Sequence, residues 1–148
     1  MLKIRLANQK YLKQASELFD QYRVFYKMPS DRSASQQFIL QRLINKDSII
    51  YLAFKDNNAV GFLQIYPSFS SVAMRPTWLL NDLYINLEYR RKGLATEMLN
   101  YIEKLAKQHQ IFSIKLATEL NNQSAISLYE NCGYKKNELF FHYSKMIN

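Results

Sequence analysis

A strand-length apolar run, Trp78-Leu79-Leu80-Asn81-Asp82-Leu83-Tyr84-Ile85, leads through a short basic segment into a stretch whose apolar residues recur at helical spacing. A strand this apolar is central enough to be covered on both faces, and the helix behind it must fold back over the sheet. That pairing restricts the chain to layered α/β arrangements. In the helix, Leu94, Met98, Ile102 and Leu105 form one stripe, with Ala95, Leu99 and Ala106 beside it, so a broad face packs on the sheet. Within the strand, Asn81 and Asp82 are an unusual polar pair.

The chain holds three glycines in 148 residues, and one of them, Gly93, falls where this strand ends and the helix begins. So sparing a use of glycine places it where the backbone needs positive φ or comes close to something. The helix start then offers unpaired N–H groups and the positive end of the macrodipole. Arg90, Arg91 and Lys92 add mobile positive charge beside those donors. The segment reads as a cradle for a ligand with several phosphates, or as a solvated basic turn before a helix.

The remaining elements follow from periodicity and punctuation. Lys3-Ile4-Arg5-Leu6 predicts a first strand, and Leu12, Ala15, Phe19, Tyr22 and Tyr26 a first helix ending before Pro29. Ser30-Asp31-Arg32-Ser33 supplies N-cap candidates for a second helix that runs to Asn45-Lys46. Ser48 to Phe54 and Ala59 to Tyr66 are strands of a hairpin around Asp56-Asn57-Asn58, and Pro67 to Pro76, without a period, is expected as a surface loop. Ile111 to Thr118 predicts a strand, Ser124 to Asn131 a helix, and Phe140 to Met146 a closing strand. The expected order is β-α-α-β-β-β-α-β-α-β. The lone Cys132 lies on the core face of its helix and reads as a buried structural thiol.

A second segment, Asn121-Asn122-Gln123-Ser124-Ala125-Ile126-Ser127-Leu128-Tyr129-Glu130-Asn131-Cys132-Gly133-Tyr134, complements the first. Together the two resemble the GNAT superfamily of acetyl-CoA-dependent N-acetyltransferases. Arg90-Arg91-Lys92-Gly93-Leu94-Ala95 fits the family's pyrophosphate motif, Gln/Arg-x-x-Gly-x-Gly/Ala. The later segment fits Asn-x-x-Ala-x-x-x-Tyr-x-x-x-Gly-Phe, with Tyr134 in place of Phe. The resemblance is sharp from about Leu79 to Tyr134 and extends in outline over the chain. It implies a single-domain GNAT fold over residues 1–148, an α/β architecture with a mixed central β-sheet flanked by helices.

The resemblance also implies the chemistry. Main-chain amides from Arg91 through Lys92, Gly93, Leu94 and Ala95 to Thr96 would hold the pyrophosphate of acetyl-CoA, with Arg90 opening the motif. Main-chain groups of Leu83, Tyr84 and Ile85 would pair with the pantetheine arm as if it were an added strand, and Asn122 would contact that arm, although local capping selects an Asn there too. Tyr129 matches the family's general acid toward the departing thiolate; full transfer from an unperturbed tyrosine is uphill by about 2 kcal/mol, so a hydrogen bond to the sulfur describes it better. Without the surrounding motif it would be a core tyrosine. Asp82 is the nearest candidate base, its carboxylate taking a proton directly or through water if burial raises its pKa, and a charge pair with a neighbouring Arg or Lys is the other reading. Glu88 and Glu119 stand behind it. Asn81 occupies a position where the polyamine-acetyltransferase branch carries Glu, which puts polyamine specificity in doubt. Tyr22, Tyr26, Met28, Asp31 and the segment Tyr66 to Trp78 would line the acceptor pocket.

Aromatic walls with few acids favour a small amine with an apolar or anionic portion over a polycation. Twenty Lys and Arg against twelve Asp and Glu give a formal charge of +8, a field that attracts polyanions and that coenzyme A accounts for in part. The basic residues are scattered and form no readable nucleic-acid motif, so no nucleic-acid partner is expected. No cluster has metal-ligand spacing, and no run is long enough to span a membrane. The N-terminus alternates charged and apolar residues, so a cytoplasmic protein is expected, with monomer and homodimer both open. An N-acetyltransferase acting on a primary amine by direct attack in a ternary complex is the first reading of function. A non-catalytic CoA-binding module is the second, and a basic nucleic-acid binder the third.

Overall fold

In the computed structural model, which describes residues 2–148, Asp56 and Asn57 take φ of 50° and 68°. Two consecutive left-handed residues suit a type I′ turn, and they join β2 (Ile49–Lys55) to β3 (Asn58–Ser70) as the hairpin the sequence predicts. With β1 (Leu2–Leu6), β4 (Arg75–Ile85) and β5 (Ile114–Lys115) they make a five-stranded sheet in the order β1-β2-β3-β4-β5. All neighbours are antiparallel except β4 and β5, so the sheet is mixed.

Helices α1 (Leu12–Phe25) and α2 (Arg32–Asn45) bury Ala15, Leu18, Phe19 and Ile39 against Ile50, Leu52, Phe62 and Tyr84. Asp31 caps α2 by accepting from the Ala34 N–H at 3.0 Å, and Lys46, at φ 52°, ends it. Helix α3 (Leu94–Gln108) buries Leu94, Met98, Leu99, Ile102 and Ala106, most of the stripe read from the sequence, with Ala95 and Leu105 only partly buried; each larger side chain contributes about 1.5–3 kcal/mol. At Gly61, β3 has no room for a side chain against β4 and α3. A Cβ built there would lie 2.6 Å from Ile85 Cδ1, 3.0 Å from the Tyr84 carbonyl oxygen and 3.6 Å from Met98 Sδ.

Contacts divide the chain into a larger unit ending at Ala117 and a smaller one, Thr118–Asn148. The smaller unit contains α4 (Gln123–Asn131), which Asn122 caps by accepting from the Ala125 N–H at 3.1 Å. Gly133, at φ 90°, ends it: the Gly133 and Tyr134 N–H groups bond the carbonyls of Glu130 and Tyr129. Among the described residues, no helix is long and apolar enough to cross a membrane.

Four expectations are corrected. Residues 67–76 are mostly not a loop: β3 and β4 stay paired out to Ser70 and Arg75. Both prolines fit because Trp78 N–H donates to Ser113 and the Pro76 carbonyl accepts from Phe112 N–H. The main chain at these positions therefore points toward β5, and no ladder bond to β3 is missed at Pro67 or Pro76. The strand expected over Ile111–Thr118 shrinks to Ile114–Lys115, because β4 bulges at Asn81, just beyond its pairing with β5. Phe140 to Met146 is not a strand. Its alternation is strand-like, but the smaller unit holds no described strand to pair with, and Phe140, Tyr143 and Met146 are exposed. Cys132 is only partly buried, at the C-cap of α4.

Candidate active site

The bulge in β4 organises the site. Gln64 and Ile65 of β3 oppose Asp82 and Leu80, leaving Asn81 as the extra residue. One inserted residue inverts the phase of the strand. Before it, Pro76 and Trp78 turn their main chain toward β5; after it, Asn86 N–H donates to the Val60 carbonyl at 2.8 Å, so the even-numbered positions now face β3. Leu83 and Ile85 therefore direct their main chain to the opposite edge. β5, paired only at Trp78 and Leu79, does not run along them. The resulting edge is available to an extended ligand at Leu83, while the Ile85 carbonyl on it already accepts from Arg90 Nε. Tyr84, expected to share this main-chain role, instead points its carbonyl toward Gly61 of β3.

Asp82 is 4% exposed and Gln64 fully buried. Gln64 Nε2 donates to Asp82 Oδ2 at 2.5 Å, Asn81 Nδ2 donates to Oδ1 at 3.0 Å, and Ser48 Oγ donates to Gln64 Oε1 at 2.8 Å. Burial pushes the Asp82 carboxyl above its usual value, and hydrogen bonds from Gln64, Tyr22 and Asn81 only partly oppose it. A carboxylate raised in this way is a stronger base than one in water. No cation forms an ion pair with it among the described residues, so the charge-pair reading of Asp82 has no support. Burial, with the Asp82 charge behind it, also raises the Tyr66 hydroxyl.

Asp82 and Asn81 line a cleft of about 330 Å³ whose walls are Phe19, Tyr22, Tyr26, Phe38 and Tyr66. Met28 and Arg23 complete it. Phe19, Tyr22, Arg23 and Tyr26 are spaced i, i+3, i+4, i+7, one face of α1 running into its C-cap. Asp31 is not among the lining residues; its carboxylate is used in capping α2. Asp20, which sequence reasoning missed, is a buried carboxylate that anchors the turn between α1 and α2. It accepts from Ser30 Oγ at 2.5 Å, Asp31 N–H at 2.9 Å and Ser35 Oγ at 2.8 Å. Burial raises its carboxyl, but those bonds and the Arg23 charge outweigh it, leaving the pKa lowered.

Past the 3-10 turn Leu87–Tyr89, Arg91 and Gly93 take φ of 62° and 78°. Left-handed residues in a turn let neighbouring N–H groups converge on one concavity. Leu94, Ala95 and Thr96 open α3, where helix geometry leaves their N–H groups no intrahelical acceptor, and no side chain caps them. A Cβ at Gly93 would meet no protein atom within 4 Å, so the loop faces open space, with Arg91, Lys92 and Thr96 exposed around it. These donors suit a diphosphate. Arg90 is used differently: its Nε donates to the Ile85 carbonyl at 2.8 Å and its guanidinium lies over Phe25 and Tyr84, 4.8 and 5.2 Å from the ring centres.

In the smaller unit, Asn122 caps α4 through Oδ1. Tyr129 lies on α4 with its ring edge-on to Tyr134 at 5.8 Å.

The profile of the Acetyltransferase (GNAT) family matches residues 13–134, which takes in the open strand edge, the glycine turn and α4. The chain belongs to this family. The acetyltransferase is 37% identical over 142 residues to a Bacillus subtilis (strain 168) protein called uncharacterized N-acetyltransferase YhfO, covering 96% of this chain and 95% of that one. It is 29% identical to the aminoglycoside N(6')-acetyltransferase type 1 of Acinetobacter haemolyticus, covering 93% and 99%. A crystal structure described as a probable acetyltransferase superposes with a TM-score of 0.94 at 34% identity, covering 99% of this acetyltransferase and 98% of that chain. It is thus an acyltransferase enzyme with the GNAT α/β fold, and the family implies acetyl-CoA as co-substrate.

Proposed function

We propose that the enzyme moves acetyl from acetyl-CoA to the primary amine of a small molecule by direct attack within a ternary complex. One observation carries this reading. Asp82 and Leu83 are consecutive residues of β4, the first lining the aromatic cleft and the second facing its main chain to the open edge. A donor arm held along Leu83 and Ile85 would thus run beside a base at the floor of an acceptor cleft, and such placement alone can supply several kcal/mol of the barrier.

The acetyl thioester supplies the acyl group when bound. The N–H groups from Arg91 to Thr96, with the Arg91 and Lys92 charges, would hold its pyrophosphate, and Asn122 would contact the pantetheine arm. Asp82, ionised, takes a proton from the acceptor ammonium directly or through a water, leaving an amine lone pair for attack. Gln64 and Asn81 hold the carboxylate oxygens so that the proton is received in a fixed orientation. Tyr129 supplies its hydroxyl to the sulfur as the thiolate departs; its match to the family motif supports that role. The family match runs across Ala117 and Thr118, which supports one acetyltransferase domain over 1–148.

Release of free thiol from acetyl-CoA with a panel of primary amines tests the reading. Tyr129→Phe is expected to lower kcat while leaving the CoA-induced rise in melting temperature intact. Turnover equal to wild type would remove Tyr129 from the mechanism. CoA binding without turnover of any amine would favour a binding module instead.

A further inference from the structure

The cleft has a charge pattern of its own. Of its lining residues, Asp82 carries the only carboxylate and Arg23 the only positive charge. Arg23 forms no ion pair among the described residues; its guanidinium makes one long hydrogen bond, Nη1 to the Pro29 carbonyl at 3.3 Å. Asp20, one turn back on α1, is the natural partner for it, yet both Asp20 oxygens accept from Ser30, Asp31 and Ser35. Most of the guanidinium's five donors therefore remain available to a guest, in a wall otherwise aromatic. Arg is the side chain best shaped to take a carboxylate through two parallel bonds.

The space sets a second bound. At about 30 Å³ per water, 330 Å³ holds about eleven waters' worth of ligand, the low end for small-molecule sites. An aminoglycoside, with several ammonium groups, would present its extra charges to one carboxylate and one cation inside a protein of formal charge +8. Each unmatched ammonium would be desolvated against aromatic rings or repelled by Arg23. Like charges placed together cost specificity its wrong partners, so the cleft selects against polycations as well as for its own guest.

Building on the acetyltransferase reading of this same cleft, we propose that the acceptor is a compact amine bearing a carboxylate across an apolar, preferably aromatic, body. The amine lies toward Asp82, the carboxylate is held by Arg23, and the ring is stacked among Phe19, Tyr22 and Phe38. Arg23 is then a specificity residue that touches substrate and takes no part in proton transfer.

Matched amines test this: 4-(aminomethyl)benzoate against 4-methylbenzylamine, 4-(2-aminoethyl)benzoate against phenethylamine, with kanamycin and spermidine as polycations. Thiol release from acetyl-CoA gives kcat and KM for each, and CoA-induced thermal stabilisation is followed in parallel. The expected result is a KM at least tenfold lower for the carboxylated member of a pair, with the polycations poorest. Arg23→Gln should collapse that ratio by raising KM of the carboxylated member, and Arg23→Lys should restore part of it. Equal KM within both pairs, a preference for the polycations, or an Arg23→Gln effect of the same size on both members would overturn the proposal while leaving the acetyltransferase reading in place. Stabilisation by CoA with none of these amines acetylated would overturn it likewise, whereas failure of CoA to bind would remove both.

Discussion

Gly93→Ala separates what the protein's own backbone asks of this position from what a cofactor would ask. A residue with a Cβ held at φ 78° is strained by about 1–2 kcal/mol, partly offset by about 0.4–1 kcal/mol from the stiffer unfolded chain. No further steric cost arises, since the new methyl meets no protein atom within 4 Å. The net loss of about 1 kcal/mol corresponds to a fall of about 2–4 °C in melting temperature for a chain of this size. The effect on CoA should be larger. If the turn grips a diphosphate, the methyl crowds it, and losing one charge-assisted hydrogen bond there costs about 1.5–3 kcal/mol, a tenfold or greater weakening. At a CoA concentration of about 100 times the wild-type Kd, stabilisation would drop from about 2.7 to about 1.4 kcal/mol. Differential scanning fluorimetry with and without CoA reads both quantities from one sample. Gly93→Asn, which tolerates left-handed φ, should recover the intrinsic loss without recovering the CoA response. If Gly93→Ala lost its few degrees yet kept the full CoA-induced rise, the glycine would serve backbone conformation alone and the cradle would be wrong.

Asp82→Asn should lower turnover by about a hundredfold or more, the usual scale for losing a general base, measured as thiol release. The same change should stabilise the fold at neutral pH. Burial holds the Asp82 pKa above the unfolded value near 3.8, so the stability linked to its proton is present in acid and lost as pH rises through the folded pKa. Urea midpoints for wild type and variant should therefore diverge at pH 7 and converge toward pH 4, and a variant less stable at pH 7 would contradict the shift. Gln64→Leu removes the shortest bond to the carboxylate, so the acidic limb of the kcat/KM profile should move to higher pH; an unmoved limb would show that Gln64 does not tune the base. Gly61→Ala forces a methyl to within 3.0 Å of a main-chain carbonyl and should cost about 1–3 kcal/mol in denaturant unfolding; an unchanged midpoint would mean β3 and α3 pack more loosely than the contacts indicate.

Local rules made much of the scaffold readable. Asp56-Asn57 announces a tight turn because few other residue pairs accept two positive φ values, and the α3 stripe shows itself because every fourth or third residue is apolar. Gly93 at the strand-to-helix junction was equally plain. What escaped depends on partners distant in sequence. Nothing near Asn81 declares it the surplus residue; that follows only from counting β4 against β3. Residues 67–70 pair with 75–78 without any apolar period, since main-chain ladders need none. Phe140 to Met146 deceives in the other direction, its alternation being compatible with a strand but supplying no neighbour for one. In the cleft, Tyr22 and Tyr26 are legible as aromatics of one helix, whereas the sequence does not single out Arg23. The i, i+4 step from Phe19 was the available clue. Gln64, inside the run Val60-Gly61-Phe62-Leu63-Gln64-Ile65-Tyr66, was a polar intrusion of the kind that marks a buried network.

Asn81 makes β4 two half-strands of opposite parity joined at a single residue. Substitutions from Arg75 to Leu80 can retune the hairpin without moving Asp82 from Gln64, while a one-residue slip of Asp82 to Ile85 against β3 would swap inside for outside over that half. Lineages exploring new acceptors on this scaffold are thus free to change side chains around the cleft but are barred from sliding the strand.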